Sequence, residues 1–487
     1  MALSDDEVRE ALQTAWSKAQ DDKQKLSRLR DYLGGTQLKP KVPLNVDPQM
    51  HDLVRRSTTN LMRLAVDIPA RMAFVEGFWQ VDPVNGGVDL NPPEWGIWAQ
   101  SGFRAQQVTV FKTSLTYGRA YVMVDPVDGV LRLLTTMDTV AFFRDPVNDR
   151  VPMFAVTTRT YPTGKCELVF MDDERIITVP TDNTMGNVFS PEWLDSPDVL
   201  VQEHQLGQCP VVSFPCHLDD EGNAMGVVEP LIPAQDRVNQ SAFDLLVTQG
   251  YGSFAVRWAS GMIGEPVINE KTGEPIKDAN GFIISKPIEL SQARMLVTEA
   301  PDAKFGTLAG TPVDGFVTAL DNAIRTFAVM ANIPPHSLLG SMNNLSGETI
   351  EAAMGQTKRF THMLKVSWGE SVTQLMGLVR RCYGFPEPQD AQYQVRWADM
   401  NDQSMAQIVD ALGKASASLG VPGRGLWSRI PGTTDADIIK WDNMAQDEKL
   451  AENLDGTGTV VSAGRERITL DLFGGEHEPG TSGADSP

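Results

Sequence analysis

Apolar positions set the first frame. In residues 313–332, Phe316, Leu320, Ile324, Phe327 and Ala331 recur at steps of three and four, which predicts a helix with one apolar face. Ile333-Pro334-Pro335 ends it, since proline lacks the amide proton and biases the residue before it away from helix. A polar loop carrying Gly340 follows, and Ser346-Gly347-Glu348-Thr349 supplies a hydroxyl cap and an acid for a second, longer helix. No proline interrupts that helix before Pro386. Helix, loop and long helix form a scaffold, and no nucleophile, base or metal ligand is concentrated in it.

The N-terminal half predicts helices and then an antiparallel meander. Ser4 caps a helix that Asp5, Asp6 and Glu7 favour electrostatically and that Gly34-Gly35 terminates. A second helical pattern covers 52–73 with an interruption near Pro69, and a third covers 95–117 up to Gly118. Strand-like runs then occupy 119–125, 130–134, 140–143, 153–160, 167–171 and 175–179, with Asp128-Gly129 as a hairpin signal. Residues 181–197 read as loop and 209–215 as a buried strand. A helix over 230–249 tolerates Pro233 in its first turn and places Asp236, Gln240 and Asp244 four apart on one face. Residues 254–258 resume as strand, and 261–311 form a Gly- and Pro-rich insertion with short strands at 282–284 and 294–297. Beyond the long helix, 393–397 reads as strand and 404–419 and 435–450 as helices. From Asp455 the small and charged residues predict a disordered tail.

Charge changes this picture. The 487 residues carry a net charge of −21, so on average the chain repels a phosphate backbone, against the expectation for a DNA-wrapping or membrane-surface protein. It does not exclude one that lets DNA pass without gripping it. Lys358, Arg359, Lys365, Arg380 and Arg381 gather on the long helix, either as a solvated face or as a surface for an acidic neighbouring subunit or nucleic acid. Four cysteines provide no disulfide framework and fit a reducing cytosol. The acidic start lacks the regions of a signal peptide, and no stretch approaches the roughly 20 apolar residues of a membrane span, so no membrane association is expected.

Catalytic chemistry finds little support. G-x-x-x-x-G-K-[ST], H-E-x-x-H, G-x-S-x-G and C-x-x-C do not occur. His204, Cys209, Cys216 and His217 form the best metal-like set, but the cysteines straddle a strand and should face opposite ways, so buried structural thiols are expected. Asp172-Asp173-Glu174 and Asp219-Asp220-Glu221 fit solvated turns. No catalytic, cofactor-binding or metal residue is assigned, and no cofactor is expected.

Five phrases carry a resemblance. They are Arg71-Met72-Ala73-Phe74-Val75-Glu76-Gly77-Phe78, Leu115-Thr116-Tyr117-Gly118-Arg119-Ala120-Tyr121-Val122, Glu229-Pro230-Leu231-Ile232-Pro233-Ala234-Gln235-Asp236-Arg237-Val238-Asn239, Ala255-Val256-Arg257-Trp258-Ala259-Ser260-Gly261 and Asn344-Leu345-Ser346-Gly347-Glu348. In this order the chain, over 24–450, resembles portal proteins of tailed double-stranded DNA bacteriophages, particularly siphoviruses of actinobacterial hosts.

The resemblance implies an α+β portal fold: a wing over 1–229, stem helices over 230–250 and 312–333, and a β-containing clip over 251–311. It further implies a tunnel loop over 334–345, the wing's long helix and closing strand over 346–398, a helical crown over 399–454, and a tail over 455–487. It implies a homo-oligomeric ring of twelve subunits at a capsid vertex in the virion, assembled in the host cytoplasm, a channel for genome packaging, retention and ejection. Implied partners are double-stranded DNA, the terminase large subunit, a head-tail connector or adaptor protein, and the major capsid and scaffolding proteins. On this mapping Ser341, Met342, Asn343 and Asn344 face DNA, Asp236, Gln240 and Asp244 line the tunnel, and Lys358, Arg359 and Lys365 join subunits. Two helices of about 30 Å around a compact insertion suit a stem and clip. The competing expectations are a head or head-tail adaptor protein without a channel and, more remotely, a phage nuclease or NTPase.

Overall fold

The first helix, α1 (Asp5–Gly34), begins as the sequence predicts. Ser4 and Glu7 form a reciprocal capping box, and Gly35 closes the helix with φ of 76°. The computed structural model describes residues 3–37, 48–81, 88–89, 92–182, 194–252, 257–260, 266–269, 272–279, 281–284, 304–307, 311–340, 347–385, 392–398, 405–430, 432–433 and 435–456. Its elements form two compact units, 1–398 and 399–487.

Two of the expected long helices are each two. Residues 52–73 divide into α2 (Pro48–Arg56) and α3 (Met62–Met72), and the break falls at 57–61 while Pro69 stays inside α3. The reason is tertiary. Gln235 Oε1 accepts from the backbone N–H groups of Leu61 and Met62 at 3.1 Å each, replacing the helical acceptors those donors would otherwise need. Residues 95–117 divide into α4 (Pro93–Gln100) and α5 (Phe103–Tyr117) because Gly102 adopts a left-handed φ of 67° between them.

The strands follow the predicted meander closely. β1 (Val75–Val81) and β2 (Val88–Asp89) precede α4, and β3 (Arg119–Val124), β4 (Leu131–Leu134), β5 (Thr139–Phe142), β6 (Phe154–Thr160), β7 (Lys165–Met171) and β8 (Arg175–Asp182) follow α5. β9 (Leu200–Glu203) was not legible in the sequence; it is short and exposed, and it adds to β8 as the edge of the five-stranded antiparallel sheet β5-β6-β7-β8-β9. β10 (Val211–Pro215) is buried throughout and pairs with β3 in the sheet β10-β3-β4. β11 (His217–Leu218) and β12 (Ala224–Met225) form a small hairpin before α6 (Val228–Gly252).

The insertion between the paired helices is seen only in part. β13 (Arg257–Ser260), three residues later than the run at 254–258, pairs with β14 (Lys304–Thr307). Residues 282–284 carry a single bridge, Lys277 to Ile283, rather than a regular strand, and 294–297 lie outside the described residues. α7 (Asp314–Met330) follows, and then α8 (Pro335–Leu339) occupies a stretch expected as loop. Pro335 stands at the first helical turn, where a missing N–H costs nothing and its fixed φ suits a helix. α9 (Gly347–Tyr383) is the long helix, and β15 (Gln392–Trp397) returns to pair with β1, giving the order β15-β1-β2.

The main core of the first unit lies between α3, α5, α6, α7, β3, β10 and α9. Trp368 of α9 is fully buried, stacks on Phe111 of α5 with centroids 4.4 Å apart, and donates its indole N–H to Ser114 Oγ at 3.1 Å. Ser371 Oγ donates to the Ser213 carbonyl at 2.8 Å, fixing α9 over β10. A second cluster joins Val8, Leu12 and Ala15 of α1 to Phe154, Leu168, Phe170 and Ile177 of the five-stranded sheet. Gly118 has a structural reason for its place in the second phrase. Its φ is +91°, and a Cβ there would stand 2.7 Å from the Ala224 carbonyl oxygen.

The second unit contains α10 (Met405–Leu419), α11 (Gly423–Leu426), a 3-10 turn over Trp427–Arg429 and α12 (Asp435–Gly456). Arg424 pairs with Asp442 at 3.0 Å and Trp427 meets Trp441 edge-on, which ties its elements together. The fold class is α+β. Among the described residues no helix is long and apolar enough to cross a membrane.

Candidate channel elements and their supports

Two helices, α6 and α7, lie against each other with the insertion between them in sequence. The apolar face of α6 (Leu231, Ala234, Val238, Ala242) and that of α7 (Ala323, Phe327, Ala328) are buried. Their polar positions are divided between support and solvent. Gln235 and Asn239, one turn apart, are buried and bind the α2–α3 break: Gln235 Nε2 donates to the Thr59 carbonyl at 2.6 Å and to Asn239 Oδ1 at 3.0 Å. Asn239 Oδ1 also accepts the Thr59 N–H at 3.1 Å. Sequence reasoning missed this pair; an amide at i and i+4 among apolar residues was the available signal.

Asp236, Gln240 and Asp244 sit as a row beside that face, and each has a local role. Asp236 accepts from the Tyr32 hydroxyl at 2.9 and 3.0 Å, tying α6 to α1. Gln240 Nε2 donates to Asp244 Oδ1 at 2.8 Å. Asp236 and Gln240 are exposed and Asp244 is half-buried. Ser341, Met342, Asn343 and Asn344 lie outside the described residues.

Where α7 ends, the chain is held in an unusual conformation. Asn332 has φ of 57°, the one positive value among described non-glycine residues. Its carbonyl accepts from Thr357 Oγ1 at 2.5 Å and its side-chain oxygen from Gln356 Nε2 at 2.8 Å, both on α9. Ile333 and Pro334 are buried beneath. These contacts anchor the near side of residues 335–346 to the core.

The basic residues of α9 divide in two. Arg359 is exposed and Lys358 and Lys365 are half-buried; Lys365 Nζ donates to the Ala398 carbonyl at 3.5 Å and lies 5.8 Å from the Trp397 ring centre. Arg380 corrects the expectation of one basic surface. It is buried, forms an ion pair with buried Glu94 of α4, and donates to the Tyr393 hydroxyl and, at 3.3 Å, to Gln80. It locks α4, α9, β1 and β15 together.

The cysteines are held as thiols in apolar surroundings. Cys209 joins the cluster of Tyr121, Met123 and Val211, whereas Cys216 joins the main core, so the two face different clusters. Burial pushes both thiols up to about 12. His204 is half-buried, and burial lowers its pKa against the opposing pull of Asp172, Asp173 and Glu174. Asp172 is itself buried, accepting from the N–H groups of Glu174 and Arg175 and pairing with the Arg175 side chain at 3.4 Å. Asp219 accepts from the backbone of Glu221 and Asn223, as a capped turn acid.

Comparison with known proteins places these elements in a family. The portal proteins of Mycobacterium phage D29 and Mycobacterium phage L5 are each 22% identical to the chain, over 471 and 489 residues. The D29 alignment covers 92% of this chain and 90% of its relative, and the L5 alignment 94% and 91%. Among solved structures, a chain from the virion of a native gene transfer agent particle aligns at a TM-score of 0.43 and 13% identity, covering 84% of this chain and 93% of its own length. A chain from the neck of an empty gene transfer agent particle aligns at 0.40 and 13%, covering 81% and 94%. The family model described as phage portal protein, SPP1 Gp6-like, matches residues 13–450, and to that family the chain belongs.

Proposed function

We propose that this portal protein assembles into a closed ring, with twelve subunits as the family resemblance implies, and that DNA passes through its centre. The observation that carries the reading is the α6–α7 pair enclosing an insertion, on a chain matched to the portal family over 13–450. In this reading α6 and α7 are the stem, 251–311 the clip, 334–345 the tunnel loop and 399–454 the crown. The wing is built from 1–229 with α9 and β15.

The charge balance supports passage rather than grip. DNA presents a negative charge about every 1.7 Å of its axis, and a basic lining would hold it at many phosphates. Residues 334–345 contain no Lys or Arg, and the net charge is −21. The ring serves the virion as a structural part. It takes DNA from the terminase large subunit, docks a head-tail connector, and sits among capsid and scaffolding proteins assembled in the host cytoplasm.

The test of the loop's role is a deletion of residues 341–344. Rings should still assemble, because the Asn332 contacts hold the end of α7 to α9, while genome packaging or retention drops. Normal packaging and retention by the deleted protein would reject the assignment of this loop.

A further inference from the structure

Acidic residues are missing from one part of the molecule. Residues 53–75, 95–124 and 352–369 together hold ten Lys and Arg and one acid, Asp67, in a chain with 63 acidic and 42 basic residues. The fold brings these stretches together. α3 packs on α5 and on α9, Thr361 Oγ1 donates to Met72 Sδ at 3.9 Å, and Phe111 of α5 stacks on Trp368 of α9. Burial alone thins out charges of both signs, since neither enters a core unpaired. Here only the acids are depleted.

The exposed part of this region is a ridge along α3 and α5. Arg63, Asp67 and Arg71 lie four apart on α3, and Asp67 is buried. It pairs with Lys112 of α5 at 2.7 Å, with Arg71 at 3.3 Å and with Arg63 at 3.7 Å. Three cations against one carboxylate leave two positive charges in surplus, and both arginines are exposed. Arg104 extends the ridge. It is exposed on the first turn of α5, and buried Gln107 binds the backbone of both Arg104 and Val75, setting that turn beside the end of α3. Between Arg104 and Lys112 stand exposed Gln106 and Thr109, which are neutral donors.

A cationic surface on a chain of net charge −21 points to a polyanion. A protein partner would need an apolar centre to the contact. Over 53–75 and 95–124, all of them described, Leu64 is the one exposed large apolar side chain. Arginines interspersed with amide and hydroxyl donors instead match phosphate oxygens. Arg63 and Arg71 are about 12 Å apart along the helix axis, a length over which a duplex presents about seven phosphate charges. We infer that the α3–α5 ridge binds the phosphate backbone of double-stranded DNA without reading its sequence. It is a second DNA contact, apart from the proposed channel, because a lining that holds phosphate would arrest what slides through it. The inference rests on the proposed function only in naming DNA as the polyanion that the protein meets.

The experiment titrates the full-length protein with a covalently closed circular duplex of mixed sequence, which has no end to enter a channel, and follows affinity against salt. The variant is Arg63→Gln/Arg71→Gln/Arg104→Gln; all three sites are exposed, and Lys112 remains to pair with Asp67. Each phosphate contact contributes about 0.9 to the slope of log affinity against log salt. The triple variant should therefore lose about 2–3 of that slope, equally on unrelated sequences, while Arg63→Lys/Arg71→Lys/Arg104→Lys keeps it. Absence of salt-dependent binding by the wild type, or an unchanged slope in the glutamine variant, would overturn the inference. A photo-crosslinking residue in place of Gln106 that captures an acidic protein surface rather than the duplex would also overturn it. Rings are scored separately by electron microscopy, so a wild type that forms none yet binds the circle through these arginines would reject the ring and keep the ridge.

Discussion

Arg380 shows how a single side chain can be misassigned from sequence. It ends a helix rich in cations, yet the chain folds it against Glu94, which lies far away in sequence and is itself buried. Removing one partner of such a pair strands the other charge in the core. Arg380→Ala should therefore destabilise the first unit by about 3–5 kcal/mol, read by denaturant unfolding. A loss below about 1 kcal/mol, the size of a surface pair, would show that the pairing does not hold the unit together. His204 makes a second prediction at this scale. Burial holds its folded pKa below the usual value, so the unfolded chain binds the proton more readily. No penalty exists above about pH 6.5, and one develops as the pH falls below it. The wild type should lose more thermal stability between about pH 7 and pH 5 than His204→Gln, and parallel profiles would contradict this.

At the scale of elements, local signals were readable and long-range ones were not. The capping box at Ser4 and Glu7, the alternating strands and the long helix after residue 346 depend on neighbours in sequence, and they stand where periodicity puts them. The break at 57–61 depends on Gln235, and the turn at Gly102 on one left-handed residue, neither of which disturbs the apolar period around it. The edge strand β9 is exposed throughout and so lacks the alternation that marks a half-buried strand. For the two helices proposed as the stem, the α6–α7 pair was legible because each helix has an apolar stripe. The amides that anchor α6 were hidden as ordinary polar residues. Gln235→Leu should expose this anchoring: it leaves the Met62 N–H without its acceptor and removes one of two bonds at the Leu61 N–H and at the Thr59 carbonyl, which also bond each other at 3.0 Å. About 1–3 kcal/mol per stranded group is the expected cost, measured by equilibrium unfolding. An unchanged midpoint would mean that the α2–α3 joint does not depend on α6.

For the whole molecule, the net charge of −21 is the feature that the proposed ring has to accommodate. In the proposed ring a passive conduit needs rigidity, which α9 across the core of the first unit would supply, and a lining that does not bind phosphate. The chain belongs to the portal family, and in the proposed ring its acidic balance would let many copies surround DNA without arresting it. The most direct test of this account is a class-averaged electron micrograph of the purified full-length protein viewed down its symmetry axis. The account predicts a closed ring of high rotational order with an opening wide enough for a DNA duplex. A protein that stays monomeric at high concentration, or a ring closed at its centre, would contradict it.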